Sequence, residues 1–391
     1  MQPKTKVTFD KLTFQNMKRT LAPMAVSGRL TRANPVYAAP LPYEIGIKLN
    51  NGCNLRCKHC FEWNPEGFHH GYEREVKNLE IDLDVVEKLL VETRENKSRV
   101  FLWGGEPLFY SRFDELADLL AKEERYTTIC SNAILVEEKL DALIRMSHNL
   151  VMLISLEGFE KENDAIRGKG TFQKVIDAVK LLLDLKAQGI YKGKVSIALT
   201  ISDQMVGKLY DFMAYFEEIG VDSVYFCFPW YIPESTAERM DGYFSSHFPW
   251  LASRFSDGHH NSWHSFTFRI APENIEPLLA DIERIYQRTW NVRIRYQPAL
   301  EPHEVRDFVT GGGKPAMNRT KCLSIANRMD VMPDGRVNPC KFFPEFSFGN
   351  LHTESVKEVF HGEDFTKHRE SLACGLTPIC TQCVLLYNNG I

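Results

Sequence analysis

The sequence predicts an α/β protein, a parallel sheet flanked by helices, with a small cysteine-bearing domain at its C-terminal end. Three observations predict it. Between residues 43 and 228, six short β-branched or aromatic runs alternate with longer segments of helical period, the order that builds parallel strands through right-handed crossovers. The runs are almost continuously apolar, as in a sheet covered on both faces. The ten cysteines gather in one cluster near each end of the chain, with Cys130 and Cys227 alone between them.

Residues 1–42 read as a leader that leaves through Pro35, Pro40 and Pro42, with Phe14, Met17 and Leu21 on one face of a short docking helix. Strands follow over 43–49, 99–103, 126–130, 150–156, 194–201 and 223–228, and the helical segments between them include 82–96, 112–124 and 171–189. Several of these open on an acidic or hydroxyl residue suited to cap a helix. From 229 to 320 the alternation breaks into an aromatic-rich insert with Trp230, Trp250 and Trp263, followed by a helix around 273–289. The insert either packs between sheet and tail or walls a substrate pocket. After Cys322 comes the small domain, in which Asp334-Gly335 reads as a hairpin turn. The boundaries are drawn at 1–42, 43–235, 236–315 and 316–391.

Composition excludes some classes. The chain has 391 residues, 44% of them hydrophobic, and a net charge of −4, so it lacks the basic footprint of a nucleic-acid binder. No apolar run reaches the roughly 18 residues a membrane span needs, and the N-terminus lacks a signal-peptide pattern. A cytoplasmic protein without membrane or nucleic-acid partners is expected. In that reducing compartment cysteines serve metal or catalysis more often than disulfides. Cys130 and Cys227, set in apolar strands, read as buried small hydrophobes. His259, His260 and His264 read as an exposed loop, and "TGGGKP" fails as a phosphate loop because Phe308 and Pro315 occupy its required positions.

The chemistry starts at "CNLRCKHC". Cys53, Cys57 and Cys60 offer three thiolates in eight positions, where a closed zinc site takes four ligands. Three suit a metal centre with one position left open. Just past the next strands lie "GGEP" (104–107), "SNA" (131–133) and "SLEG" (155–158), which with Cys53 make four polar motifs on the rim where sites form in such folds.

The CX3CX2C spacing, with the later motifs in the same order, resembles the radical S-adenosylmethionine (radical SAM) superfamily. The resemblance implies a partial (β/α)6 barrel whose three cysteines hold a [4Fe–4S] cluster. The open iron takes S-adenosylmethionine, which is cleaved to a 5′-deoxyadenosyl radical that abstracts a substrate hydrogen. It further implies that Gly104 and Gly105 admit the cofactor's ammonium and that Glu106 accepts from it. Ser131 and Asn132 lie beside the cofactor, Ser155 and Glu157 reach its ribose, Arg167 its carboxylate, and the backbone of Phe61 its adenine. Two positions depart from the family pattern: His59 stands where a large aromatic is common, and Glu157 where aspartate is. The tail resembles the SPASM/twitch group, and its five cysteines favour the shorter form. One auxiliary [4Fe–4S] cluster is then held by Cys322, Cys340, Cys380 and Cys383, with Cys374 spare; zinc is the competing reading of four cysteines.

The function so implied is radical oxidation of a peptide or protein, with an external flavodoxin- or ferredoxin-like electron donor. The leader is short for a dedicated peptide-binding domain. The alternatives are a dehydrogenase of a small alcohol, sugar or other metabolite and, of another class, a non-catalytic iron–sulfur or zinc redox protein, which has no need of the GGEP, SNA and SLEG rim. No side chain is singled out as the catalytic acid or base.

Overall fold

The computed structural model describes residues 4–6, 11–252 and 261–391; His259 and His260 lie outside them. All six expected strands form: β1 (Glu44–Lys48), β2 (Arg99–Trp103), β3 (Thr127–Ser131), β4 (Leu150–Ser155), β5 (Lys194–Thr200) and β6 (Ser223–Cys227). Each pairs in parallel with the next, with Ile45 opposite Val100 and Met152 opposite Val195. The helices α1 (Leu83–Glu92), α2 (Phe113–Lys122), α3 (Glu160–Arg167), α4 (Thr171–Ala187) and α5 (Leu209–Ile219), with a shorter helix at Leu140–Met146 between β3 and β4, fill the crossovers. Asp82 caps α1 by accepting from the Asp84 backbone N–H, whereas the residues preceding α2 and α4, Arg112 and Gly170, make no side-chain cap.

The strands alternate in what they bury. Ile45, Ile47, Val100, Leu102 and Ile129 join the core built with Leu89, Leu116, Leu120, Val179, Phe212 and Phe216 of the helices. On α2 and α5 these positions recur at the three- and four-residue spacing that puts them on one face. The intervening residues, among them Gly46, Lys48, Phe101 and Trp103, belong to the opposite face of the sheet. That face is covered by the C-terminal domain: the Lys341 ammonium lies 3.9 Å from the centroid of Phe101 and 4.6 Å from that of Trp103.

Two further parallel strands extend the sheet. β7 (Arg293–Gln297) pairs with β6, and β8 (Arg328–Val331) pairs with β1. Among the described residues the sheet thus has ten strands, completed by the antiparallel β9 (Arg336–Asn338) and β10 (Phe348–Asn350). It stays open between β10 and β7. The expected hairpin turn is present: Gly335 takes a φ of 78° and its N–H donates to the Met332 carbonyl at 2.9 Å. The sheet accommodates β8 through Gly46. A Cβ there would stand 1.6 Å from the Asp330 carboxylate, which is bound by the buried Arg328 guanidinium at 2.7 and 2.8 Å.

The leader corrects its expectation. It is a 23-residue helix, Lys11–Ala33, and Phe14 and Leu21 are exposed. Docking runs instead through its C-terminal half, where Ser27, Gly28 and Thr31 are buried and Gly28 lies next to Leu323 and Ile391. Polar and small residues carry this contact, so an apolar-face search misplaces it. None of the described helices is long and apolar enough to cross a membrane.

Candidate functional site

The rim at the C-terminal ends of β1–β4 is built around the cysteine loop. Gly105 N–H donates to the Asn50 carbonyl and Glu106 N–H to that of Gly52, both at 2.9 Å, while Asn50 Nδ2 donates to the Glu106 carbonyl at 2.9 Å. A Cβ on Gly105 would stand 2.1 Å from the Gly52 carbonyl oxygen, and one on Gly104, whose φ is 155°, 2.7 Å from that of Asn50. These glycines are required by the close approach of GGEP to the cysteine loop.

Within the loop Cys60 N–H donates to the Cys57 carbonyl at 3.1 Å. The Cys57 thiol is near enough to both Cys53 and Cys60 to raise them, although burial is the larger cause that pushes each up to about 12. Three neighbouring thiols that resist ionisation need a positive centre to hold them as thiolates, and iron supplies one.

Glu106 is buried at 1% exposure. Its Oε1 accepts from Leu108 N–H (3.0 Å) and the Ser131 hydroxyl (2.7 Å), and its Oε2 from Asn132 N–H (2.8 Å). Burial raises its pKa against these donors, and among the described residues no cation lies within ion-pair reach of it. A carboxylate has about four acceptor sites, so one remains for an incoming ammonium. Asn132 also donates to Asn54 Oδ1 at 2.7 Å, tying SNA to the cysteine loop.

The two departures from the family pattern meet each other. Glu157 Oε1 accepts from His59 Nε2 at 3.1 Å and from the Arg167 guanidinium at 2.6 Å, and Oε2 accepts from Thr200 N–H at 2.8 Å. Burial pushes the Glu157 carboxyl up, but the His59 ring and the Arg167 guanidinium outweigh it and hold it at about 2. Arg167 stands beside Cys57, its Nε has no hydrogen-bond partner among the described residues, and neither has His59 Nδ1. The Arg167 Nε–H is a buried donor suited to a carboxylate. Ser155 Oγ lies 4.0 Å from Cys130 Sγ.

Sequence reasoning missed the charges behind this rim. Glu62, two residues past Cys60, pairs with Lys48 at the end of β1 (2.7 Å), and the Lys48 ammonium also faces His69 Nε2 at 3.3 Å. Lys341, beside Cys340, has its ammonium among the rings of Phe101, Trp103 and Phe342, where burial and the charge of Arg328 lower it to about 7. Only the position of Glu62, just after the cysteine loop, offered a signal. His264 does not stand free: it bridges Glu234 and Asp241 at 3.0 and 2.9 Å.

Cys322, Cys340, Cys380 and Cys383 come together. Burial dominates at each thiol, and beyond it Cys340 is raised by Cys380, Cys383 and Cys322, and Cys322 by Cys383 and Cys380. Cys374 is exposed at the end of its helix. Among the described residues no three His, Cys, Asp or Glu side chains converge on one ion position. Thiols that neighbour one another in this way suit a cluster, which takes one ligand per corner.

Aromatic rings fill the space between the two cysteine sets. Phe61 stacks on Phe266 at 4.7 Å and meets Phe342 edge-on at 5.5 Å; Trp230 meets Phe342 at 4.2 Å. Trp230, Phe266 and Phe343 also border Cys383, around a crevice with no room for a water molecule. Of the two readings of the insert, Trp263 follows the packing one, as it is fully buried.

Comparison with known proteins follows this geometry. Residues 47–220 match the family model of the radical SAM superfamily, and 322–384 that of the SPASM iron–sulfur cluster-binding domain. The antilisterial bacteriocin subtilosin biosynthesis protein AlbA of Bacillus subtilis is 22% identical over 88% of this chain and 68% of its own. Mycofactocin maturase MftC of Mycobacterium ulcerans is 30% identical, but over 44% of each. The crystal structure of Streptococcus suis SuiB bound to its precursor peptide SuiA superposes with a TM-score of 0.56 at 16% identity, over 93% of this chain and 73% of that one. This likeness shows the fold, the partial barrel with an appended C-terminal domain.

Proposed function

The chain belongs to the radical SAM superfamily and carries a SPASM domain, and from that premise we propose that it is a maturase that oxidatively modifies a peptide. The observation that carries the reading is that the two cysteine-bearing segments meet through packed aromatic rings: Phe61, next to Cys60, stands edge-on to Phe342, two residues past Cys340. Relatives whose names are those of a bacteriocin biosynthesis protein and a maturase support the substrate class, as does a fold neighbour with a peptide bound.

The two domains imply a [4Fe–4S] cluster, S-adenosylmethionine and an auxiliary cluster. Cys53, Cys57 and Cys60 hold the first, and Cys322, Cys340, Cys380 and Cys383 the second. When bound, the barrel cluster supplies the electron that cleaves S-adenosylmethionine to a 5′-deoxyadenosyl radical. The chain's own residues bind and orient. Glu106 takes the cofactor's ammonium with its remaining acceptor site, a charge-assisted bond strengthened by burial. Arg167, anchored by Glu157, directs its remaining Nε–H to the cofactor's carboxylate, and His59 holds Glu157 in place. Asn132 and Ser131 hold the rim rigid, Ser155 faces the ribose, and Phe61 places its backbone against the adenine. The rings of Phe61, Trp230, Phe266 and Phe342 exclude water from the region where a radical must survive. The electron donor is a separate flavodoxin- or ferredoxin-like protein, and the protein works in the cytoplasm.

The test is incubation of the anaerobically reconstituted protein with S-adenosylmethionine, dithionite and a short peptide encoded beside its gene. Mass spectrometry should show 5′-deoxyadenosine and a peptide lighter by two hydrogens. 5′-Deoxyadenosine formed with the peptide unchanged, while a small alcohol or sugar is oxidised instead, would move the substrate class to metabolites.

A further inference from the structure

The four C-terminal thiols do not share the same surroundings. His368, on α6 (Glu363–Cys374), is completely buried. Its ring lies against Phe248, Phe346 and Phe348, with centroids 5.4, 5.0 and 5.5 Å away. Inside this cage Nε2 stands 3.4 Å from Cys340 Sγ, and Nδ1 has no hydrogen-bond partner among the described residues. An enclosed imidazole whose one polar contact is a sulfur is costly to bury unless that contact is used.

A metal-bound thiolate accepts hydrogen bonds and cannot donate them, so the tautomer with its hydrogen on Nε2 satisfies both groups. Thr377 supplies a second side-chain donor to the same set, with Oγ1 3.1 Å from Cys380 Sγ. The barrel set is served mainly by backbone N–H groups: Cys53 faces that of Leu55 at 3.4 Å and Cys60 those of Glu62 and Trp63, while the Asn132 amide stands 3.9 Å from Cys53. Hydrogen bonds to ligand sulfurs are among the factors that set a cluster's potential. A donor withdraws electron density and favours the more negative, reduced state. In an apolar cage no water competes for the sulfur.

We propose that His368 is a positioning and tuning residue for the auxiliary cluster: its Nε2–H donates to the Cys340 thiolate and raises the cluster's reduction potential. The proposal rests on the reading of Cys340 as a cluster ligand. It makes the auxiliary site a better electron acceptor than it is without the donor, which suits a reaction that oxidises its substrate.

The test uses the full-length, anaerobically reconstituted protein. His368→Phe keeps a ring in the aromatic cage and removes the donor; His368→Gln keeps a donor. Iron is counted first, and each cluster's midpoint is then read by a redox titration followed by electron paramagnetic resonance. The auxiliary midpoint should move to a more negative value in His368→Phe and stay closer to wild type in His368→Gln. The barrel midpoint and the iron content should not change in either. An auxiliary midpoint unmoved in His368→Phe at full iron overturns the proposal. Loss of one iron from the auxiliary cluster in both variants overturns it too, by making His368 a ligand. Wild-type protein with iron for the barrel cluster alone would remove the auxiliary-cluster reading itself, and this proposal with it.

Discussion

Glu106 combines complete burial, three hydrogen-bond donors and no cation within ion-pair reach among the described residues. If its last acceptor site receives the cofactor's ammonium, truncation leaves that charge without its partner. Losing one member of such a pair costs about 2–5 kcal/mol, or roughly thirty- to several-thousand-fold in affinity. Glu106→Ala should weaken S-adenosylmethionine binding by that factor at unchanged iron content, measured by equilibrium binding to reconstituted protein. Glu106→Gln should be milder, since it keeps one carbonyl acceptor, although its amide faces donors on one side. Affinity within twofold of wild type in Glu106→Ala would reduce GGEP to a strand-end turn. At this scale the family resemblance singles out Glu106, Ser131, Asn132, Glu157 and Arg167, and the structure brings them to one rim; the sequence did not show which of them pair. The pairing of His59 with Glu157 was hidden too, because 98 positions separate them, and it appears only once β1 and β4 share a rim.

The cysteine loop is held by an element rather than by a side chain. The turn after β2 presses against residues 50–52 through backbone hydrogen bonds that any Cβ on Gly105 would break, since it would fall 2.1 Å from a carbonyl oxygen. Gly105→Ala should therefore displace the loop and cost the barrel cluster while leaving the C-terminal set loaded. Iron should fall from about eight to about four per chain, the content of one four-iron cluster. Full iron content in Gly105→Ala would show that the loop tolerates the shift. The same scale explains what the sequence hid. The first six strands were readable because each carries a short run of aliphatic, β-branched or aromatic residues between segments of helical period. β7, "RIRYQ", alternates arginine with apolar residues, and β8, "RMDV", is four residues long; neither matches a continuous apolar run. Gly46 likewise looks like an ordinary strand glycine, and its reason, the Arg328–Asp330 pair, lies some 280 residues downstream.

Across the whole molecule the C-terminal segment is part of the barrel's own sheet. β8 pairs with β1, the strand that feeds the cysteine loop, and Lys341 reaches across to Phe101 and Trp103 of β2. That the two cysteine sets so joined hold two separate clusters is the central claim. It is tested most directly by counting iron and zinc in three anaerobically reconstituted proteins: wild type, a Cys53→Ala, Cys57→Ala, Cys60→Ala variant, and a Cys322→Ala, Cys340→Ala, Cys380→Ala, Cys383→Ala variant. About eight irons are predicted in the wild type and about four in each variant, as expected for two separate four-iron clusters. About four irons with one tightly bound zinc in the wild type, the zinc lost with the C-terminal cysteines, would contradict it.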